Sequence, residues 1–236
     1  MNHTESEMRT GRELAVLVPT LNAAAGLGRT LAALAGQVAE VVVADGGSTD
    51  ATRAIAEAAG ARVIATPRGR GSQLAAGAAA VTAPWLLVIH ADTLPGRGWR
   101  EAAEAFIADP ANAFRAAHFR FALDDASPQA RRLERAVAWR CRALGLPYGD
   151  QGLLISRAFY ESLGGYRAIP IMEDVDLARR IGRARLAALD PAFVTSAERW
   201  RREGWHRRSA RNLACLVLWF AGVPPERIAR FYAGRR

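Results

Sequence analysis

Three carboxylate positions in this chain stand where a carboxylate can do chemistry. Asp45 ends the run VVVAD and is followed by GGSTD. Asp92 ends LLVIHAD, two residues after His90. Glu173 and Asp174 stand side by side in IPIMEDVDLARRIG, just after Pro170 and just before a helical pattern. A carboxylate at the end of a buried strand, followed by glycines that permit a tight turn and a close backbone approach, can accept hydrogen bonds from a base imide or a ribose hydroxyl. It can equally hold its own turn. His90 and Asp92 project to the same side of an extended segment. Imidazole and carboxylate are both metal ligands, and Mg²⁺ or Mn²⁺ prefers the carboxylate and the phosphates of a bound nucleotide. A strand-end turn accounts for H-A-D as well. Two acids at a helix start are favoured by the helix dipole in any case; a general base held there starts ionised.

The elements that must position these groups follow from the hydrophobic pattern. Leu14 to Val18 is expected as a buried strand ended by Pro19, and Ala24 to Ala35 as a helix with Leu27, Leu31 and Leu34 on one stripe. Val38 to Ala44, Ala61 to Thr66 and Pro84 to Ile89 are the next strands. Helices over Ala51 to Ala59, closed by Gly60, and Gly71 to Ala80 separate them. The strands are continuous apolar runs, the pattern of parallel strands covered on both faces. Ligands of such sheets bind beyond the carboxyl ends of the strands, where Asp45 and Asp92 lie. The second half is less regular. Helices are expected over Trp99 to Ile107, from a Ser127-Pro128 start to about Leu144, over Phe159 to Leu163, Asp174 to Ile181 and Arg208 to Ala221. Strands are expected over Phe114 to Leu123, Gly152 to Ser156 and Leu186 to Leu189. Leu133, Val137, Cys141 and Leu144 form the apolar stripe of the long helix. No linker separates independent domains.

The chain has 236 residues, half of them hydrophobic, and a formal charge of +9. That suffices for a real core. The basic balance admits nucleic acid, an anionic membrane or phosphorylated ligands as partners, or simply a solvated basic surface. Cys141 and Cys215 read as buried thiols. The polar N-terminus lacks the apolar core of a secretory signal. The longest apolar run near the C-terminus, Leu213 to Val223, is 11 residues, against about 20 for a membrane span. There is no G-x-G-x-x-G after the first strand, no P-loop, and no H-E-x-x-H, C-x-x-C or G-x-S-x-G. NAD enzymes, P-loop enzymes, zinc peptidases and the usual serine hydrolases lose ground accordingly.

PTLN, DGGSTD, HADT, GDQG, MEDVDL and SAERW occur in this order over roughly residues 12 to 232. In this the chain resembles the family 2 glycosyltransferases of GT-A fold. More narrowly it is similar to a small bacterial branch whose members often sit with radical-SAM or arsenosugar genes. The resemblance implies an α/β fold: a Rossmann-like nucleotide-binding half (12–95) with a mostly parallel central sheet flanked by helices, continuous with a mixed acceptor half (96–232), in one domain. It implies a nucleotide-diphosphate sugar donor, often UDP-linked, transfer with inversion, and a divalent cation, Mn²⁺ or Mg²⁺. Asp45 resembles the base-reading aspartate, Asp92 the metal-binding end of the family's D-x-D, and Asp174 the catalytic base beside Glu173. The implied donor-binding positions also include Pro19, Thr20 and Asn22 of PTLN, Gly46, Arg70, Gln73 and Ala91. Asp150 and Gln151 of the G-D-Q-G loop, and Arg199 and Trp200 near the diphosphate, complete them. Three positions depart from the pattern. Ala23 stands where many relatives have glutamate, His90 where D-x-D begins, and Ser196 where a glutamine precedes R-W. His206 is a candidate to complete the metal site, or a solvated histidine among arginines.

Sugar transfer requires neutralisation of the departing diphosphate, deprotonation of an acceptor hydroxyl, and a held sugar between them. A metal-dependent nucleotidyltransferase is the competing enzyme class, although PTLNAAAGLGRT lacks an early basic residue. A basic nucleic-acid module is the non-enzyme alternative, without a recognised motif; no nucleic-acid partner is expected. The acceptor is a small molecule or a lipid. Arg201, Arg202, Arg207, Arg208 and Arg211 before ACLVLWFAG admit peripheral contact with an anionic membrane on the inner face of the plasma membrane, against a C-terminal helix packed on the core. The expected location is cytoplasmic, with a homo-oligomer left open.

Overall fold

The apolar run from Leu14 lies inside an eight-stranded sheet. In the computed structural model, which describes residues 13–234, β1 (Leu14–Thr20) is followed by α1 (Ala24–Leu34), β2 (Glu40–Asp45) and α2 (Thr52–Ala58). Then come β3 (Arg62–Ala65), α3 (Arg70–Ala80) and β4 (Trp85–Val88). The four strands are parallel, in the order β3-β2-β1-β4. Their continuous apolar character has the expected cause. Val16, Val18 and Val43 pack with Leu27, Leu31 and Leu34 of α1 on one face. Ala15, Leu17, Val42 and Ala44 pack with Leu74 and Ala78 of α3 on the other.

β1 does not stop at Pro19. It continues through Thr20, with Pro19 opposite Ala44 and Thr20 opposite Asp45. The Leu17 carbonyl accepts from Ile89 N–H at 3.1 Å and the Thr20 carbonyl from Gly46 N–H at 2.9 Å. Odd-numbered residues of β1 therefore face β4. The ladder with β4 ends at Leu17, so the N–H that Pro19 lacks has no partner to lose.

The second half adds β5 (Thr93–Pro95), α4 (Trp99–Ala108), β6 (Ala116–Leu123), α5 (Pro128–Leu144), β7 (Leu153–Ser156), α6 (Arg157–Ser162) and α7 (Glu173–Ile181). β8 (Leu186–Thr195), α8 (Glu198–Glu203), α9 (Trp205–Phe220) and α10 (Pro225–Ala233) follow. The sheet runs on from β4 as β7-β6-β8-β5. β7 is antiparallel to both β4 and β6, β6 is parallel to β8, and β5 is antiparallel to β8. One mixed sheet thus crosses both halves. The domain start expected at residue 12 lies outside the described residues.

Several expectations for this half are corrected. β8 extends to Thr195 rather than Leu189. Its register shifts from Phe119↔Leu189 to Arg120↔Ala192, so Asp190-Pro191 forms a bulge instead of a strand end. A further helix, α10, follows the one expected over Arg208 to Ala221; Pro225 starts it, since proline suits the first turn. β5 and α8 carry too little pattern to be foreseen. Ser127 caps α5 as expected, its Oγ accepting from Ala130 N–H at 3.2 Å. Val137 and Cys141 are buried, but Leu144 is 47% exposed. Both cysteines are free and buried. Among the described residues no helix is long and apolar enough to cross a membrane.

Candidate active site

The two loops beyond β1 and β2 are clasped together by their own side chains. Asn22, held at φ 50°, donates its N–H to Ser48 Oγ at 2.8 Å, and its Oδ1 accepts from Thr49 N–H at 2.9 Å. Asp50 accepts from Ala24 N–H at 3.2 Å and Thr52 N–H at 3.0 Å, and Thr52 Oγ1 accepts from Ala23 N–H at 2.7 Å. Gln73 ties the strand ends beneath, its Nε2 donating to the carbonyls of Thr20 (2.6 Å) and Ala44 (2.9 Å). It reaches them because α3 lies close on β1: a Cβ on Gly77, one turn along, would come within 2.2 Å of Leu17. The small and hydroxyl residues of PTLN and DGGSTD therefore build the rim before any ligand is considered.

Asp45 belongs to that clasp. It is 1% exposed. Its Oδ1 accepts from Thr20 Oγ1 at 3.1 Å and from Ser48 Oγ; its Oδ2 accepts from Gly47 N–H at 3.2 Å and Ser48 N–H at 3.0 Å. Burial pushes its pKa up, but the bonds from Ser48, Thr20 and Gly47 outweigh this and hold it below the usual carboxylate value. Four acceptor positions are filled, which is the turn-holding alternative rather than an open base-reading carboxylate. Gly46 is likewise a packing position, its missing Cβ lying 3.0 Å from the Gln73 amide. Gln151, expected at the donor, sits underneath the site at 2% exposure. Its Oε1 accepts from Arg140 (3.2 Å) and the Tyr148 N–H (3.3 Å), and its Nε2 lies 3.3 Å from the Phe119 carbonyl. None of the three lines any of the cavities described next.

Two adjoining cavities open over the strand ends. One, of about 550 Å³, is lined by Pro19, Thr20, Asn22, Arg29, Gln73, Ala91 and Arg202. The other, of about 250 Å³, is lined by Asp150, Glu173, Asp174, Trp200 and Tyr148, with Arg208, Asn212 and Tyr232 from the C-terminal helices. Arg70, His90, Asp92, Ser196 and Arg199 line both. The two arginines, the histidine and the carboxylate thus stand where the cavities meet. His206 does not join them: it is exposed and lines a third cavity between α5 and α9. Arg208, Asn212 and Tyr232 were not foreseen as site residues, because α9 and α10 reach the site by packing that leaves no local motif. The Nε of Arg208 is buried without a hydrogen-bond partner.

Met172, at φ 68°, turns the chain into α7 and sets both acids in its first turn. A left-handed backbone at a non-glycine residue is a form of stored strain found at functional sites. Asp174 accepts from Gly149 N–H at 3.2 Å and Val175 N–H at 2.7 Å. The Gly149–Gln151 turn comes this near because Gly149 has no side chain; a Cβ there would lie 2.5 Å from His90 Nε2. Burial pushes Asp150 up to about 6, with Arg140 opposing and Asp174 and Asp92 adding to the rise. Its Oδ1 has no hydrogen-bond partner. Burial and the charges of Arg70 and Arg199 push His90 well below its ordinary value, so its imidazole is neutral at pH 7. Among the described residues no three His, Cys, Asp or Glu side chains are grouped around a metal position. Asp92, with the unpartnered Asp150 Oδ1 near enough to feel its charge, fits a cation of the Mg²⁺ or Mn²⁺ kind. Such ions take one or two carboxylates and complete their shell with phosphate and water.

Glu173 is 1% exposed, its Oε1 lacks a hydrogen bond, and Arg70 Nε lies 3.5 Å away. Burial raises its pKa to about 7, opposed by Arg70 and aided by Asp174. A carboxyl whose folded pKa exceeds its unfolded value contributes fully below the unfolded pKa of 4.5 and loses that contribution as pH rises through about 7. Glu173→Gln, which mimics the protonated form, is therefore expected to match wild type in urea unfolding at pH 4.5. At pH 8 it is expected to be more stable by about 3 kcal/mol. An equal difference at the two pH values would contradict this.

The sequence profile described as Glycosyl transferase family 2 matches residues 15–154. No curated protein sequence matches the chain. Among solved structures, glucosyl-3-phosphoglycerate synthase from Mycobacterium tuberculosis in complex with Mn²⁺, uridine diphosphate and glucosyl-3-phosphoglycerate aligns with a TM-score of 0.63. The identity is 22%, over 95% of this chain and 85% of that one. The same enzyme with Mn²⁺, UDP-glucose and phosphoglyceric acid, and with Mg²⁺ and UDP, gives the same values. At such identity the likeness speaks for the fold. The profile spans β1 to the first half of β7, more than half the chain, and takes in Asp45, Asp92 and the Gly149–Gln151 turn. With the mixed sheet and the cavities at its strand ends, these findings establish that the chain has the GT-A fold and belongs to glycosyltransferase family 2.

Proposed function

We propose that this protein transfers a sugar from a nucleoside-diphosphate sugar to an acceptor hydroxyl, with inversion at the anomeric carbon. One observation carries the reading: Arg70, His90, Asp92 and Arg199 line both cavities. A diphosphate laid across that junction puts its nucleoside in the larger cavity, among Pro19, Thr20, Asn22 and Ala91. Its sugar then enters the smaller one, beside Asp150 and Asp174. When bound, a divalent cation on Asp92 neutralises part of the diphosphate charge. His90 is the nearby second donor, and Arg70 and Arg199 add positive charge on the leaving side. Asp174 accepts the acceptor's proton as its oxygen attacks the anomeric carbon. Glu173 holds Arg70 in place. Trp200, stacked on Trp205, lines the smaller cavity and bounds the space for the sugar.

UDP is the nucleotide we assign, with support from the Mycobacterium tuberculosis enzyme of the same fold, solved with UDP and UDP-glucose. The acceptor named for that enzyme is not carried over. Within family 2 we place the chain in the small bacterial branch named above, on the ordered set PTLN, DGGSTD, HADT, GDQG, MEDVDL and SAERW, as a cytoplasmic enzyme with residues 12–95 serving the donor and 96–232 the acceptor. Calorimetry against UDP, GDP, ADP and their glucose esters, with Mn²⁺ and with EDTA, tests the donor. Selective, metal-dependent binding of the uridine compounds is expected. Equal binding of all three nucleotides, or none by folded protein, would sink the assignment.

A further inference from the structure

The reaction cavity opens sideways. Tyr148, Asp150, Trp200 and Asn212 line it and also line a groove of about 430 Å³ between α5 and α9. The groove is walled by Leu133, Val137 and Trp139 of α5 and by Trp205, Leu213 and Leu216 of α9. At its outer end Trp139 is 59% exposed, Leu144 47% and Leu213 61%. The exposed apolar surface continues along α9 as Val217 (59%) and Phe220 (50%). Residues 213, 217 and 220 form one helical stripe. The other side of α9 is already packed, with Cys215 buried in one cluster with Met172 and Val175. α9 is therefore apolar on a side the fold does not cover. Arg132, Arg135, Arg142 and Arg207 are exposed on the same two helices, in a chain of net charge +9.

We propose that the acceptor is a membrane lipid whose apolar chain lies in the α5–α9 groove and whose hydroxyl headgroup reaches Asp174. The α9 stripe and the surrounding arginines seat the enzyme on an anionic leaflet. This rests on the glycosyl-transfer reading and specifies its acceptor. The groove ends at Tyr148 and Asp150, the wall it shares with Asp174, so a chain in it delivers its head to the base. A wholly polar acceptor would leave this apolar surface next to the site without a use. Trp139 at the mouth, with an apolar body and a polar N–H, suits a boundary between chain and headgroup. An apolar helix stripe flanked by arginines has the composition of an element that lies in an anionic interface. In the transfer, the lipid hydroxyl oxygen bonds to the anomeric carbon as the bond from that carbon to the diphosphate breaks. The proton passes to Asp174, and the nucleoside diphosphate leaves with the bonding pair.

The full chain is mixed with phosphatidylcholine vesicles, with and without phosphatidylglycerol, whose acyl chains carry bromine. Co-sedimentation and tryptophan quenching are read for wild type, Trp139→Phe and the double variant Leu213→Asp, Val217→Asp. Wild type is expected to bind the anionic vesicles with quenching, and Trp139→Phe to bind with less quenching. The double variant is expected to bind at least about tenfold more weakly. Both altered positions in it are exposed, and its calorimetric binding of UDP with Mn²⁺ is expected to persist. Absence of vesicle binding by wild type overturns the proposal. So does salt-sensitive binding without quenching that the double variant retains, since arginines alone would then explain it. A wild-type dimer that the double variant converts to monomer, without vesicle binding, overturns it in favour of a second copy on this face. Failure of UDP binding in every protein would instead strike the transfer reading, whatever the vesicles report.

Discussion

Asp174→Asn is expected to lower the turnover of sugar transfer by about 10²- to 10⁴-fold, the usual contribution of a positioned general base, while leaving UDP affinity nearly unchanged. The two acids of M-E-D are neighbours in sequence but differ in setting. Glu173 is buried against Arg70 and raised to about 7 by that burial. It lines the same cavity as Asp174, but the Arg70 guanidinium stands 3.5 Å from its carboxylate. Asp174 lines the cavity at intermediate exposure, and two backbone N–H groups point at its oxygens. Those bonds fix the carboxylate at the cavity wall. Asparagine keeps the shape and cannot take the proton, so the loss should fall on kcat and spare KM for the donor. Glu173→Gln provides the contrast: it changes what holds Arg70, and its effect should appear in donor KM as well. If Asp174→Asn keeps kcat within about threefold of wild type, below the range for a lost base, the base lies elsewhere. Asp150, the remaining carboxylate on that wall, is then the residue to change.

The difference between the two halves explains which parts of this site were readable. β1, β2 and β4 are covered on both faces, so their residues are apolar without alternation, and helices between them show as stripes such as Leu27, Leu31 and Leu34. A carboxylate at the end of such a strand is conspicuous, which is why Asp45 and Asp92 stood out together. What each one touches depends on a partner far along the chain. Asp45 is claimed by Thr20 and its own turn, whereas Asp92 faces open space. Nothing local distinguishes them. Gln151, placed at the donor only by the resemblance of the G-D-Q-G loop, is tied down by Arg140 and Tyr148. The apolar run of β8 is interrupted by Asp190-Pro191, and only pairing with β6 makes that interruption a bulge inside one strand. Asn212 and Tyr232 reach the cavity through the packing of α9 and α10, at distances along the chain where periodicity carries no information. The clearance that Gly149 gives His90 is of the same kind.

Asp92→Ala is expected to remove the tightening of UDP binding by Mn²⁺, a loss of about 10²-fold or more if the cation supplies several kcal/mol at the diphosphate. With EDTA present, wild type and variant should bind UDP alike, because Asp92 is not itself expected to touch the nucleoside. The sensitivity follows from how few ligands the chain provides. No group of three metal-binding side chains occurs among the described residues. Of the carboxylates in these cavities, only Asp92 faces both. His90 beside it is neutral and can assist, but an imidazole brings no charge against the phosphates. His90→Ala should therefore weaken the metal effect less than Asp92→Ala does. His206→Ala supplies the control for the third candidate. His206 lines the α5–α9 groove and neither of the cavities that meet at Asp92, so its loss should leave metal-dependent UDP binding as it was. A His206→Ala protein that no longer responds to Mn²⁺, beside an Asp92→Ala protein that does, would mean that the loop carrying α9 closes over the donor and that the cation sits on the far side of the cavity.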